Sequence, residues 1–120
     1  MSRKLLALVA TVFLAAWCWN AWSRRWRPYD PTWLVELARE QHPDDPSLTA
    51  ALRACTRAIQ GANYVRFVSG RRANQPGAEW QFARNVTLES DTHGDLVLDV
   101  LQSGRIGGVE FLSKLLARGG

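Results

Sequence analysis

Apolar and polar side chains alternate most regularly between residues 78 and 89. The apolar positions of this stretch are Trp80, Phe82, Val86 and Leu88. Alternation with a period of two is typical of a strand with one buried face. A short loop leads to a second such strand at residues 95–102, and a two-residue turn at Ser103-Gly104 leads to a third at residues 105–111. The pattern predicts three consecutive antiparallel strands.

Two earlier stretches follow the spacing of three and four residues that is typical of amphipathic helices. The first helix is predicted to start after Asp30, with a proline at its first position, and to end near His42, which we expect to cap its carboxyl end. The second is predicted to start after Asp45, again with a proline next in the chain, and to continue to Gly61.

Residues 63–69 also alternate and predict a fourth strand, which is followed by a loop at residues 70–77. The predicted fold class is α+β, with two short helices on one face of an antiparallel meander of about four strands. Residues 112–118 are expected to form a short final helix or tail. The expected core consists of Trp80, Phe82, Leu98, Val109 and Phe111, covered by Leu52, Cys55 and Ile59.

An uncharged apolar run begins at Leu5 and ends at Trp22. As a helix it would span about 27 Å, close to the hydrocarbon thickness of about 30 Å. Tryptophans gather at its carboxyl end and three arginines follow them, as is typical of a membrane–water interface. The sequence therefore predicts an N-terminal transmembrane helix in a membrane anchor with basic flanks at residues 1–27, followed by a small α+β domain at residues 28–120.

The alternative for this segment is a cleaved signal peptide with Ala21-Trp22-Ser23 as its small-x-small site, which would release the domain into the periplasm. The long apolar run and the arginines just after that site favour a retained anchor. A short basic amino terminus before an apolar run is typical of an export signal. We therefore expect a single-pass protein of a bacterial inner membrane, with its domain on the periplasmic side; because the basic residues on the two flanks nearly balance, a cytoplasmic-facing domain is the alternative.

The formal charge of +4 is compatible with nucleic-acid binding until the charges are located. Five basic residues flank the apolar run, whereas from Pro28 onward ten basic and eleven acidic residues nearly cancel. A nucleic-acid-binding protein is expected to carry its basic patch on the folded domain. The excess positive charge therefore belongs to the anchor, and no nucleic acid is expected as a partner.

The residues that commonly bind metals or cofactors do not form a recognisable motif. Cys18 lies in the apolar run and Cys55 lies at an apolar helix position, so they do not form a disulfide framework. His93 lies among turn residues, and a hairpin loop explains it better than a metal or catalytic site does. Gly107 and Gly108 lack the lysine of a phosphate loop, which favours close backbone packing or a β-bulge. We expect no cofactor and no metal.

Counting back from the two-residue turn places Asp99 opposite Gly108, with Glu110 on the adjacent diagonal. These positions share the face that points away from the core. The same counting across the previous loop places Asn85 beside Asp99, and it places Arg84 on the core face near one end. The sequence thus predicts a polar cluster of Asn85, Asp99 and Glu110 on the outward face of the sheet.

The favoured interpretation of this cluster is a binding patch for a protein partner, to which Arg71 and Arg72 of the neighbouring loop would add contacts. The alternative is a general acid and base pair, Asp99 and Glu110, in a small hydrolase, which would need a concave pocket. The predicted function is a membrane-tethered, non-enzymatic interaction module of the bacterial cell envelope, such as an immunity or inhibitor protein or an accessory subunit of an envelope complex.

Overall fold

The computed structural model describes residues 25–113. Within this range the chain forms two helices and six strands: β1 Arg27–Pro28, α1 Thr32–Gln41, α2 Pro46–Arg53, β2 Arg57–Gln60, β3 Tyr64–Arg66, β4 Phe82–Ser90, β5 Gly94–Leu101 and β6 Ile106–Phe111. The strands form one antiparallel sheet in the order β1-β2-β3-β6-β5-β4. The predicted α+β class is confirmed.

Several predictions concern segments outside the described residues. These are the transmembrane helix or signal peptide that begins at Leu5, the thiol of Cys18, and residues 114–118 of the expected final helix or tail. Among residues 25–113, no helix is both long and apolar enough to cross a bilayer.

Carboxylates bind the first turn of both helices. Asp30 accepts hydrogen bonds from the backbone N–H and the hydroxyl of Thr32, at 3.1 and 2.6 Å, and α1 begins one residue later than predicted. Asp45 is the N-cap of α2 and accepts from the N–H of Leu48 at 3.2 Å. At the other end of α1, His42 is the C-cap, as predicted.

The prediction that the second helix continues to Gly61 is wrong. Helix α2 ends at Arg53, and residues 57–60 form β2, which pairs with both β1 and β3. Pairing on both edges satisfies the backbone of this segment, so tertiary contacts outweigh its helical spacing. As a consequence Ile59 lies opposite Arg66, on the face of the sheet away from the helices.

The two helices cover one face of the sheet, here called the inner face. Its side chains pack with those of the helices into the main core, which includes the predicted Leu52, Cys55, Leu98, Val109 and Phe111. These five residues are buried. Burial of apolar area against the helices is therefore the main source of stability on this face.

Trp80 and Phe82 were predicted for this core and do not belong to it. A β-bulge between Phe82 and Arg84 inserts one extra residue into β4, so the side-chain alternation reverses there. Phe82 lies opposite Leu101 and is 40% exposed. Trp80 is buried in a second, smaller cluster with Val68 and Leu101 on the opposite face, here called the outer face.

Residues 102–105 connect β5 and β6. The N–H of Leu101 donates to the backbone oxygen of Arg105 at 2.9 Å, so three residues, 102–104, lie inside the closing pair instead of the predicted two. Gly104 adopts a φ of 89° that favours glycine. Further along β6, a bulge at Gly107 adds one residue to that strand. The longer loop and the bulge offset each other. The predicted pairing of Asp99 with Gly108 is therefore confirmed.

The predicted meander of about four strands is correct only for β4, β5 and β6. Strand β3 pairs with β6 instead of β4, because the chain from residue 67 to residue 81 crosses the end of the sheet. This pairing places Tyr64 opposite Glu110 and Arg66 opposite Gly108. Two residues of β3 thus become neighbours of the predicted polar cluster.

Strand β4 forms one edge of the sheet, and α1 covers part of that edge. The side-chain amide of Gln41 donates to the backbone oxygen of Glu89 at 2.6 Å and accepts from its N–H at 2.8 Å. The ring Nε2 of His42 lies 3.1 Å from the backbone oxygen of Thr87. These contacts occupy edge groups that could otherwise pair with another strand.

Arg84 lies on the inner face near one end, as predicted, but its side chain is not buried. It pairs with Val100 in the sheet, but its side chain extends into solvent and reaches Asp45 Oδ2 at 3.3 Å. The bulge next to Arg84 and its place on the edge strand allow this exit.

Candidate functional site

The outer face brings together the predicted Asn85, Asp99 and Glu110. Asn85 lies directly opposite Asp99 across β4 and β5. Asp99 lies opposite Gly108 of β6, and Glu110 is two residues further along that strand. Because alternate residues of a strand point to the same face, the three side chains share the outer face.

A phenol that the sequence reasoning missed binds one of the carboxylates. The hydroxyl of Tyr64 donates a hydrogen bond of 2.6 Å to Asp99 Oδ2. The pKa of the Tyr64 phenol is raised from its usual value of 10.0, first by burial and then by the hydrogen bond to Asp99 and the charge of that carboxylate. Tyr64 is thus a protonated donor at neutral pH, and it fixes the orientation of Asp99.

The position of Tyr64 depends on the absence of a side chain beneath it. Its ring lies directly against Gly108, where a Cβ would overlap the phenol. In the same way, a Cβ at Gly107 would lie 2.6 Å from the indole of Trp80. The bulge turns two consecutive glycines to the outer face, and one aromatic ring covers each of them.

Arg66 lies between these two rings. Its guanidinium carbon is 5.9 Å from the centroid of Tyr64 and 5.8 Å from that of Trp80, within the range of cation–π attraction. Gly70 leaves room for the guanidinium, since a Cβ there would lie 2.8 Å from the same carbon. The outer face therefore presents a positioned arginine next to the Tyr64–Asp99 pair.

Two further carboxylates extend the polar surface toward the loop between β4 and β5. Glu89 lies directly opposite Asp95, and both are exposed. Neither they nor Glu110 make a salt bridge to any of residues 25–113. Like charges that face each other directly destabilise a sheet.

The predicted Arg71 and Arg72 lie on the loop at residues 69–80 and are exposed. Arg72 has a φ of 57° and its Nε donates to the side-chain oxygen of Gln75 at 3.3 Å. The loop lies over one end of the outer face, because Trp80 at its end packs against Gly107. The two arginines make no contact with Asp99 or Glu110, so the structure places them at the margin of the cluster.

The other candidate groups of the described chain are explained by packing. The ring of His93 lies 4.7 Å from that of Trp33 and 5.9 Å from that of Phe111. Burial raises the pKa of the Cys55 thiol to about 12, which disfavours the reactive thiolate. Across residues 25–113, no three His, Cys, Asp or Glu side chains converge as a metal site requires.

The carboxylates Asp99 and Glu110 are half-buried on the outer face. Five shallow clefts of about 240 to 340 Å³ lie elsewhere on the part of the chain that is described, and none of these five is lined by Tyr64, Asp99 or Glu110. Enzyme sites for small substrates are usually concave.

Comparison of the chain with protein-family models, curated proteins and solved structures finds no match. The residues of the outer face are therefore interpreted from their own contacts and charges.

Sequence reasoning missed Tyr64, Arg66 and the facing pair of Glu89 and Asp95. The alternation of residues 63–69 put Tyr64 and Arg66 on the polar side of their strand, but it could not show that β3 pairs with β6. The facing carboxylates could have been found, since the register that places Asn85 beside Asp99 also places Glu89 opposite Asp95.

Proposed function

We propose that this chain is a membrane-tethered, non-enzymatic interaction module of the bacterial cell envelope that binds a protein partner through its outer face. The observation that carries the proposal is the open, fixed arrangement of Tyr64, Arg66 and Asp99, with Glu110 beside it. Tyrosine, tryptophan and arginine are the residue types that dominate binding energy in protein interfaces.

The same arrangement supports recognition more than catalysis. One oxygen of Asp99 already accepts a hydrogen bond from the hydroxyl of Tyr64, and Glu110 lines none of the five clefts described above. An acid and base pair needs a substrate held within hydrogen-bond reach and shielded from water. The exposed face offers a partner protein a rigid set of donors and acceptors.

The tether and location belong to the proposal as well. The apolar run from Leu5 to Trp22, with basic residues on both sides, supports a single-pass anchor in the inner membrane with a periplasmic domain. A small domain held at the membrane suits an immunity or inhibitor protein, or an accessory subunit of an envelope complex. Fusion of an export-dependent reporter after Gly120 tests the orientation, and the mass of the product tests whether the anchor is retained.

The binding test compares proteins that co-purify with the solubilised full chain and with the variant Asp99→Asn/Glu110→Lys. The amide oxygen introduced in place of the Asp99 carboxylate can still accept from Tyr64, so the fold should be preserved while two negative charges are lost and one positive charge is gained. We expect at least one co-purifying protein to be lost. Glu36→Gln/Glu40→Lys, on the exposed side of α1, makes the same change in net charge and is the matched control, which should retain it.

Two results would contradict the proposal. If the outer-face variant retains every protein that the wild type retains, the binding surface is assigned wrongly. If the purified chain has a hydrolytic activity that Asp99→Asn abolishes, the alternative of a small hydrolase takes precedence.

A further inference from the structure

We propose that the outer face binds the outer face of a second copy of this chain, turned so that the acidic end of each copy lies against the arginine-bearing end of the other. The proposal specifies the partner of the face described above and rests on the proposed function in using that face. Three features of the outer face support it: its two ends carry opposite charge, one end is higher than the other, and two carboxylates face each other across the sheet without a salt bridge.

The acidic end of the outer face consists of Glu89, Asp95 and Glu110. Glu89 and Asp95 face each other across β4 and β5, and Glu110 lies on the next strand. None of the three makes a salt bridge within residues 25–113. Repulsion between directly opposed carboxylates is a cost to the isolated sheet, and positive charges from a neighbouring molecule would remove it.

The arginine-bearing end carries Arg71 and Arg72. They lie on the loop at residues 69–80, which covers the end of the outer face opposite the loop between β4 and β5. Both are exposed. Glu79 lines the same cleft as the two arginines, so one positive charge remains in excess.

A two-fold axis parallel to the sheet and perpendicular to its strands would bring these ends together. An isologous contact of this kind is self-complementary, so the dimer contains two contacts between an acidic end and an arginine-bearing end. Pairing of oppositely charged ends favours this orientation over one in which like ends meet.

The shape of the outer face, which is higher at one end than at the other, fits the same orientation. The loop at residues 69–80 covers one end of the outer face, where Trp80 packs on Gly107, whereas the acidic end carries no such cover within the described chain. The raised end of each copy would therefore fill the lower end of the other. Half-buried Val97 and Tyr64 and the exposed ring of Phe82 supply apolar contact area between the two sheets.

The test is a charge exchange between two differently tagged full-length copies, co-expressed and solubilised in a non-ionic detergent. One variant is Glu89→Lys/Asp95→Lys, which keeps a like-charged pair and so changes folding little. The other is Arg71→Glu/Arg72→Glu. We expect wild-type copies to recover each other, each variant to recover itself about tenfold less, and the mixture of the two variants to restore recovery.

The control Glu36→Lys/Glu40→Lys on α1 should pair as well as wild type, since α1 covers the other face. Pairing of wild-type copies should weaken in high salt. The inference is overturned if wild-type copies do not recover each other. It is also overturned if all combinations recover equally, because the apolar anchors would then cause the association.

The outcomes separate this inference from the proposed function. A chain whose copies fail to pair, but which loses a co-purifying protein on Asp99→Asn/Glu110→Lys, overturns self-pairing and keeps the interaction module. Restored pairing in the mixture supports self-pairing, even if no other co-purifying protein depends on the face.

Discussion

The two faces of the sheet are built from the same strands but are held in order by different forces. On the inner face, Leu88, Leu96, Leu98 and Val109 are fully buried beneath the helices, and their burial is non-directional. On the outer face, apart from the small buried cluster around Trp80, order depends on single directed contacts, such as the 2.6 Å hydrogen bond of Tyr64. Loss of an inner residue should therefore unfold the domain, whereas an exposed residue of the outer face can change what the face binds and leave the fold intact.

The largest expected effect is on the inner face. Phe111 is buried and packs near the rings of Trp33 and His93. We expect Phe111→Ala to lower the free energy of unfolding by about 3–5 kcal/mol, because it removes buried area and leaves a cavity. Thr87→Ala, at an exposed position of the outer face, should change it by less than about 0.5 kcal/mol. Urea denaturation of both variants measures the difference, and equal effects would mean that the faces are assigned backwards.

The next effect tests the contact between glycine and aromatic ring on the outer face. Gly108→Ala should lower the free energy of unfolding by about 1–3 kcal/mol, because its Cβ would collide with the ring of Tyr64. In a Tyr64→Ala background the same substitution should be nearly neutral, since the ring is gone. A double-mutant cycle measures this coupling. The same loss in both backgrounds would point to the backbone of the bulge instead of the ring.

A smaller effect is expected from the hydroxyl of Tyr64. Tyr64→Phe should lower the free energy of unfolding by about 1–2 kcal/mol at neutral pH, since it leaves half-buried Asp99 without its donor. The folded-state pKa of Tyr64 is raised above 10.0, so its contribution is fully present below pH 10 and falls as the pH rises beyond that value.

Denaturation of wild type and Tyr64→Phe between neutral pH and about pH 10.5 measures this dependence. The pKa of Tyr29 is also raised by burial, and this tyrosine is present in both proteins, so only the difference between their pH profiles reports on Tyr64. The two profiles should converge at high pH. Parallel profiles would show that the hydroxyl of Tyr64 does not titrate with unfolding.

The sequence predicted the last three strands well because their alternation is regular and their loops are short. Asp99 was placed opposite Gly108 correctly, although the loop is one residue longer than predicted, since the bulge at Gly107 offsets the difference. Bulges carry little sequence signal, and the one near Phe82 reversed the predicted face of Trp80. The predicted register of β5 and β6 is thus correct because two irregularities, which the sequence does not reveal, offset each other.

Tyr64 and Arg66, the part of the candidate site that the sequence did not predict, reach the site only because distant segments pair. Strand β2 has a helical spacing of apolar residues, and only its pairing with β1 and β3 makes it a strand. The pairing of β3 with β6 brought Tyr64 to Asp99 across 35 positions of the chain. Local periodicity gave the outward direction of Tyr64 but not its neighbour.

The smallest expected effect concerns Arg84, on the inner face of the edge strand β4. Its salt bridge to Asp45 joins side chains that are 54% and 31% exposed, and such pairs contribute little because water and salt screen them. Arg84→Ala should therefore leave the unfolding transition within the error of a urea titration.

Asp45→Ala should be more damaging, because Asp45 also accepts hydrogen bonds from the N–H of Leu48 and the hydroxyl of Ser47. The pKa of Asp45 is lowered mainly by these two bonds and only weakly by Arg84. Should Arg84→Ala prove as damaging as Asp45→Ala, the salt bridge would be part of the packing between β4 and α2 and not a surface contact.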